Sequence, residues 1–257
     1  MTRDEIYSAA LRQSAIDLGC APEDLLRSGN VIVLSRADPR ARRYLTLPFT
    51  FQLVTYGSNI VASVSEELRG VAERFLAQCD PPYHALETPR LTALDEELRP
   101  FGQRVCFMSE YFLPEPELLS VPECPFELRM LYPEDLAPLY RAKWSNALCA
   151  KRRELGRLAV GAYDGGRLIG LAGCSADCEE MWQIGVDVLP THRGLGLGPA
   201  LTGRLTAEIF EREKVPFYCA AWSNLRSVRT ALRCGFRPAW LEITARDSAY
   251  TDSVLRG

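Results

Sequence analysis

The sequence predicts an α/β protein with a mixed sheet, built as a smaller N-terminal part followed by a larger C-terminal one. Three observations predict it. Short apolar, β-branched runs alternate with stretches of helical periodicity along the whole chain. Pro114, Pro116, Pro122 and Pro125 crowd one stretch near the middle and mark a proline-rich connector over 114–125, which leaves domains at 1–113 and 126–257. Beyond the connector, a strand runs through a glycine-rich bend directly into a helix, the arrangement of a ligand-binding turn.

The N-terminal part opens with a capping-box pattern, Thr2 with Glu5, and then places Ile6, Ala10, Leu11, Ala15 and Leu18 on one helical face until Gly19 stops the run. A short helix over 22–27 ends at Ser28, Gly29 and Asn30, and residues 31–34 form a brief buried strand. Residues 50–55 and 60–64 flank a turn at 56–59 and read as an antiparallel hairpin. Ser65, with Glu66 and Glu67 behind it, caps a helix reaching about Cys79. Pro81 and Pro82 break the chain before a short helix over 91–98 and a strand over 105–112. This part has a core of its own and no chemical motif.

After the connector come a strand over 126–131, helices between 133 and about 150, a strand over 158–163, a turn at 164–166, a strand over 167–174 and a long strand from Met181. The helix after the bend opens at Pro199, which has no N–H to leave unpaired in a first turn, and it buries Leu201, Leu205 and Ile209. Residues 216–222 form the next strand. Asn224 opens a helix that ends in Cys234, Gly235 and Phe236, and the last strands run to about 246.

A chain of 257 residues is long enough for one large or two modest domains with real cores. Its 30 basic and 33 acidic residues give a net charge of −3, so no broad field draws nucleic acid or an anionic membrane, and neither is an expected partner. The basic runs at 36–43 and 151–153 read as solvated helix faces. Nine cysteines, an odd number dispersed through strands and helices, follow a polar start with no hydrophobic leader and suggest a reducing, cytoplasmic setting. Cys174 and Cys178 lack a second close pair, and only His84 and His192 could complete four ligands, so no metal is expected. No apolar run reaches the roughly 20 residues that cross a bilayer.

The bend carries the chemistry. Gly194, Gly196 and Gly198, at every second position, let the backbone turn its N–H groups outward, and the helix start adds unpaired donors and the positive end of its dipole. The result is a cradle for phosphate oxygens, with Arg193 beside it to pair with the same anion. A dinucleotide turn would need a glycine where Pro199 stands, and a Walker loop would need Gly-Lys-Ser/Thr, which is absent. What remains, Arg193-x-x-Gly196-x-Gly198 after Val186, Asp187, Val188, Leu189 and Pro190, resembles the pyrophosphate-binding loop of the GNAT superfamily of acyl-CoA-dependent N-acyltransferases. A second stretch adds to the resemblance: the strand over 216–222, then Asn224 and Ser227 at the start of a helix that closes in Gly235 and Phe236. The resemblance covers about residues 126–246. It leaves the first part unassigned, as a degenerate copy of the same fold or as a module that holds an acceptor or a protein partner.

The resemblance implies acetyl-CoA as cosubstrate, bound by Val186, Val188, Arg193, Gly194, Leu195, Gly196, Leu197, Gly198, Asn224 and Ser227, with the backbone N–H at or near Val188 as the oxyanion donor. It implies transfer of an acetyl group to a primary amine of a small molecule or protein by direct attack in a ternary complex; a homodimer is a candidate assembly. A non-catalytic acyl-CoA-binding protein is the alternative. For the base, Glu180 and Asp187 are the nearby carboxylates, and strand alternation puts them on opposite faces, so at most one meets the acceptor. Glu180 has the parity such a base usually takes, whereas Asp187, between two valines, calls for a partner of its own. The family's tyrosine acid falls on Ala231 here, which leaves Tyr218, Cys219 or water to replace it. His192 reads as a loop side chain, and Trp182 and Trp222 as core or groove walls.

Overall fold

A computed structural model describes residues 1–79 and 82–256. In chain order its elements are α1 (Arg3–Leu18), β1 (Val31–Leu34), β2 (Phe51–Thr55), β3 (Val61–Val64), α2 (Arg69–Leu76), α3 (Thr88–Leu98), β4 (Gln103–Pro114), β5 (Glu127–Leu131), α4 (Pro133–Leu136), β6 (Gly156–Asp164), β7 (Arg167–Ser175), β8 (Met181–Val188), α5 (Leu197–Phe210), β9 (Val215–Ala221), α6 (Leu225–Arg233), β10 (Phe236–Asp247) and α7 (Ser248–Arg256). The mixed α/β class agrees with the sequence. The break expected at Pro81 and Pro82 begins outside the described residues.

Two compact units divide the chain, and neither is continuous in sequence. The first consists of Met1–Ala9 and Tyr111–Pro238, and the second of Ala10–Glu110 with the described residues from Ala239 on. The proline-rich stretch 114–125 lies inside the first unit and holds one 3-10 turn, Pro116–Leu118. Its backbone lies tight on two glycines. A Cβ on Gly203 would come within 2.4 Å of the Ser120 carbonyl oxygen, and one on Gly235 within 2.3 Å of that of Leu118.

In the first unit the strand order is β5-β6-β7-β8-β9, antiparallel from β5 to β8 and parallel between β8 and β9. One face of the sheet, with Val160 and Ala172, packs on the stripe Leu197, Leu201, Leu205 and Ile209 of α5, all buried. Burying each of these side chains is worth about 1.5–3 kcal/mol. The other face, with Ala159 and Leu171, packs on Leu136, Trp144, Ala147 and Leu148.

Two expectations change here. The helices expected over 133–150 are a single α turn, α4, followed by 3-10 turns at Ala137–Leu139, Ala142–Trp144 and Ala150–Leu155. Pro138 cannot donate the next helical bond, and the chain bends away. The segment then settles on the sheet at two glycines: a Cβ on Gly185 would meet the Asn146 carbonyl oxygen at 1.9 Å, and one on Gly173 that of Ala147 at 2.3 Å. Helix α5 starts at Leu197 rather than Pro199, because Gly196 takes a left-handed φ of +80° and serves as the N-cap. Pro199 still falls within the first turn, where its missing N–H costs nothing.

The second unit orders its strands β1-β3-β2-β10. The expected hairpin pairs β2 with β3, β1 joins β3 in parallel, and β10 joins β2 antiparallel with Ile243 opposite Leu53. Phe51, Leu53, Ile60 and Val64 pack with Val71 and Phe75 of α2 and Leu94 and Leu98 of α3. The basic run 36–43 is not a solvated helix face: it is not helical, and Arg42 is only 4% exposed. Its guanidinium donates to the carboxylates of Asp17 and Glu242 (2.5 Å to the latter) and to the Tyr44 hydroxyl (2.5 Å). Gln13 donates to Asp17 at 2.9 Å and Trp240 to Glu242 at 2.8 Å. β10 is one twelve-residue strand, and α7 follows it unannounced by the sequence pattern. No described helix is long and apolar enough to cross a membrane.

Candidate functional site

The bend after β8 is a concentration of open donors. Gly194 and Gly196 take φ of +85° and +80°, a region closed to most side chains. The N–H groups of Gly194, Leu195, Gly196, Leu197 and Gly198 find no acceptor among the described residues. The side chains of Leu195 and Leu197 do other things, one exposed and one buried in the core, so these two residues serve the bend through the backbone. Arg193 Nε donates to the Val188 carbonyl at 3.2 Å and fastens the bend to the end of β8. His192 contacts Thr191 at 2.8 Å and Asp164 at 3.4 Å and lines the groove that opens from the bend.

A groove of about 840 Å³ opens from this bend. Its walls are the bend, Val186 to Val188 of β8, Tyr218, Asn224, Ser227, and one face of α6 that carries Arg226, Arg229, Thr230 and Arg233. These arginines were missed as site residues. Their spacing of three and four is the signal that could have found them, since it puts all three on one side of a helix beside the phosphate bend.

The parallel pairing of β8 with β9 ends at Ile184 and Tyr218. The Leu189 N–H donates to Ile169 on β7, so alternation turns the N–H groups of Val188 and Val186 to the opposite, open side. A second cavity of about 420 Å³ adjoins the first, and the two share Asn146, Val186, Tyr218, Asn224 and Ser227. Tyr218 therefore stands at the junction. Its hydroxyl lies 2.7 Å from Ser227 Oγ, and burial pushes its pKa up to about 12, so it is a neutral donor at ordinary pH. Asn224 caps α6 by accepting from the Ser227 N–H at 3.3 Å. Gln183 donates to Cys219 at 2.9 Å in the second cavity.

The carboxylates separate. Asp187 lines the first groove, but it accepts three bonds, from the Asn146 N–H (2.9 Å), the Asn146 amide (2.6 Å) and the Ala147 N–H (2.9 Å). It holds the 145–148 segment over the cavity floor. Glu180 is exposed at the far start of β8 and lines neither cavity. Ala231 is completely buried in the core and lines neither cavity. Trp182 is buried and Trp222 exposed. Among the described residues, no three His, Cys, Asp or Glu side chains gather as a metal site.

Residues 118–236 match the family model described as Acetyltransferase (GNAT) family. No curated protein sequence matches the chain. Among solved structures, a GCN5-related N-acetyltransferase from Kribbella flavida is similar over 95% of this chain and 96% of its own, at 17% identity and a TM-score of 0.51, a likeness that establishes the fold alone. A GNAT-family structure from Novosphingobium aromaticivorans DSM 12444 has 21% identity and a TM-score of 0.46 over 56% of this chain, and the match spans 66% of that structure's length. The aminoglycoside N-acetyltransferase AAC(6')-Iy, solved in complex with CoA, has 18% identity and a TM-score of 0.36 over 47% of this chain and 93% of its own.

Proposed function

We propose, from the match of residues 118–236 to the GNAT acetyltransferase family model, that the protein is an acetyltransferase of that family and transfers the acetyl group of acetyl-CoA to a primary amine by direct attack in a ternary complex. One observation carries the reading: five backbone N–H groups with no acceptor among the described residues open into a groove walled by arginines, and that groove meets a second cavity at a buried phenol. The residues fit the coenzyme. The amides of 194–198 suit a pyrophosphate, and Arg193, Arg226, Arg229 and Arg233 supply cationic partners for its phosphates. Val186 and Asn224 line the passage between the two cavities, where the pantetheine arm would lie.

Bound acetyl-CoA supplies an electrophilic thioester: a C–N bond forms at its carbonyl carbon, the C–S bond breaks with the electron pair leaving on sulfur, and the amine proton passes to solvent. The chain contributes position and donors. The outward N–H groups of Val188 and Val186 can meet the charge that grows on the carbonyl oxygen. Tyr218, neutral at ordinary pH, can donate to the departing sulfur. Asp187 acts through the Asn146 segment, as a positioning residue, and Glu180 stands outside the site. Among the described residues, the wall of the second cavity holds no Asp, Glu or His, so the amine is best received already neutral. A reducing, cytoplasmic setting is part of the same proposal, from nine cysteines, an odd number, dispersed along the chain.

Amine-dependent release of thiol from acetyl-CoA, followed with a thiol-reactive chromophore, tests the proposal. Calorimetric binding of CoA with no thiol release against any amine of a broad panel would leave a binding protein in place of an enzyme.

A further inference from the structure

We propose, resting on the acetyl-transfer reading above, that the acceptor is a small amine carrying a carboxylate, of the amino acid class, and that Arg152 receives the carboxylate. The second cavity, at about 420 Å³, is of small-ligand size. Among the described residues its wall contains one permanently charged residue, Arg152, and no Asp, Glu, His or Lys. The basic run 151–153 is therefore not a uniform solvated face. Lys151 and Arg153 are exposed, whereas the 3-10 run bends at Arg152 (φ −138°, ψ 51°) and this side chain is half-buried in the cavity wall.

Asp177 stands behind the guanidinium at 3.4 Å, wholly buried and outside the wall, so the cavity meets the positive member of the pair. A carboxylate entering from the cavity gains charge-assisted hydrogen bonds from a guanidinium already held in place. A polyamine meets like charge with no carboxylate in the wall to offset it. The same positive charge lowers the pKa of an ammonium nearby, which favours the neutral amine in a cavity whose wall supplies no base. In the reaction the acceptor nitrogen gains the acetyl group and loses one proton to solvent, and its carboxylate is unchanged.

The experiment uses the full chain saturated with acetyl-CoA and follows thiol release with glycine and larger amino acids, their amides, and spermidine, each corrected for its neutral amine fraction. The acids are expected to exceed their amides by about tenfold or more in kcat/KM, with spermidine lowest. Arg152→Gln is expected to raise KM for an amino acid about ten- to a hundredfold while leaving KM for acetyl-CoA and for the amide little changed, and Arg152→Lys to recover part of the loss. Should Arg152→Gln fail to fold, the double variant with Asp177→Asn removes the stranded carboxylate and carries the same comparison. Calorimetry of amino acids titrated into the CoA-loaded protein reads recognition without turnover. Arg152-dependent binding without transfer would sustain this inference and overturn the acetyl-transfer reading. Transfer to amides or spermidine at rates equal to or above those of the acids would overturn this inference and leave that reading intact, and so would CoA-loaded protein that transfers but binds no amino acid.

Discussion

Replacing Tyr218 with phenylalanine removes one oxygen from the junction of the two cavities. The ring stays packed between Phe112 and Phe236, so the perturbation is confined to the hydroxyl and its 2.7 Å contact with Ser227. Ser227 is partly exposed to the groove and can turn its own hydroxyl outward, which limits the loss of folding stability to about 0.5–1.5 kcal/mol. The effect on rate follows from acidity. At a pKa of about 12, the phenol is roughly 3.5 units less acidic than an ordinary thiol, so handing its proton fully to the sulfur would cost about 5 kcal/mol. In the role proposed for it, Tyr218 donates a hydrogen bond to growing negative charge instead, worth about 1.5–3 kcal/mol, and kcat is expected to fall about ten- to a hundredfold with KM for acetyl-CoA nearly unchanged. The sign of the pH dependence is fixed as well. The donor form persists below the raised pKa and is lost as pH rises through it, so wild-type kcat should show no falling limb attributable to this group below about pH 11. The assay is thiol release from pH 6 to 10 for both forms, with thermal melts alongside. A folded Tyr218→Phe protein with the wild-type kcat would refute the reasoning and remove Tyr218 from the chemistry.

Other perturbations reach the remaining parts. Gly196→Val forces a β-branched residue to a φ of +80°, a strain of about 1–3 kcal/mol, and should weaken CoA more than tenfold by calorimetry; an unchanged Kd in a folded variant would dismiss the phosphate cradle. Asp187→Asn loses charge-assisted bonds to the 145–148 segment worth about 1.5–3 kcal/mol and should lower the melting temperature and raise acceptor KM; a thousandfold drop in kcat at constant KM and stability would make Asp187 the base instead. Arg42→Met strands two buried carboxylates and should cost about 3–5 kcal/mol in urea unfolding, and a loss well under 1 kcal/mol would mean that the pairs are not formed in solution. Ala231→Tyr overpacks a position with no exposed surface and should destabilise by about 1–3 kcal/mol; a stable variant with faster turnover would show that this position reaches the sulfur after all.

Local chemistry was legible in the sequence. Strand, glycine bend and helix can be read off consecutive residues, because left-handed backbone at Gly194 and Gly196 and the stripe Leu201, Leu205 and Ile209 each depend on near neighbours. Thr2 and Glu5 likewise form the reciprocal cap their spacing announced, at 2.7 and 3.3 Å. What stayed hidden depends on distant partners. Asp187 declared that it needed a hydrogen-bond partner, yet nothing nearby identified Asn146, 41 residues away. Arg42 looked like one charge in a polar run until Asp17 and Glu242 closed around it. The segment 133–155 has helical composition, but Gly173 and Gly185 offer its backbone a closer seat on the sheet than a regular helix could take. The same preference of tertiary contact over local propensity moved the basic face of Arg152 into a cavity wall.

The buried cluster around Arg42 also sets a schedule for the chain as it leaves the ribosome. Arg42 and Asp17 emerge early, but Glu242 follows Arg42 by 200 residues. At about 5–20 residues added per second, the guanidinium waits roughly 10–40 s for its second carboxylate. During that interval β2 also lacks β10, its antiparallel neighbour through Leu241–Thr244, and shows an open edge to solvent. Helices and the β2–β3 hairpin can form while synthesis continues, but the second unit cannot lock until its last strand is released. Nascent chains are accordingly expected to depend on holding chaperones over this interval, and a stop placed just before Ala239 to leave the second unit incomplete in its charge pairing as well as its sheet.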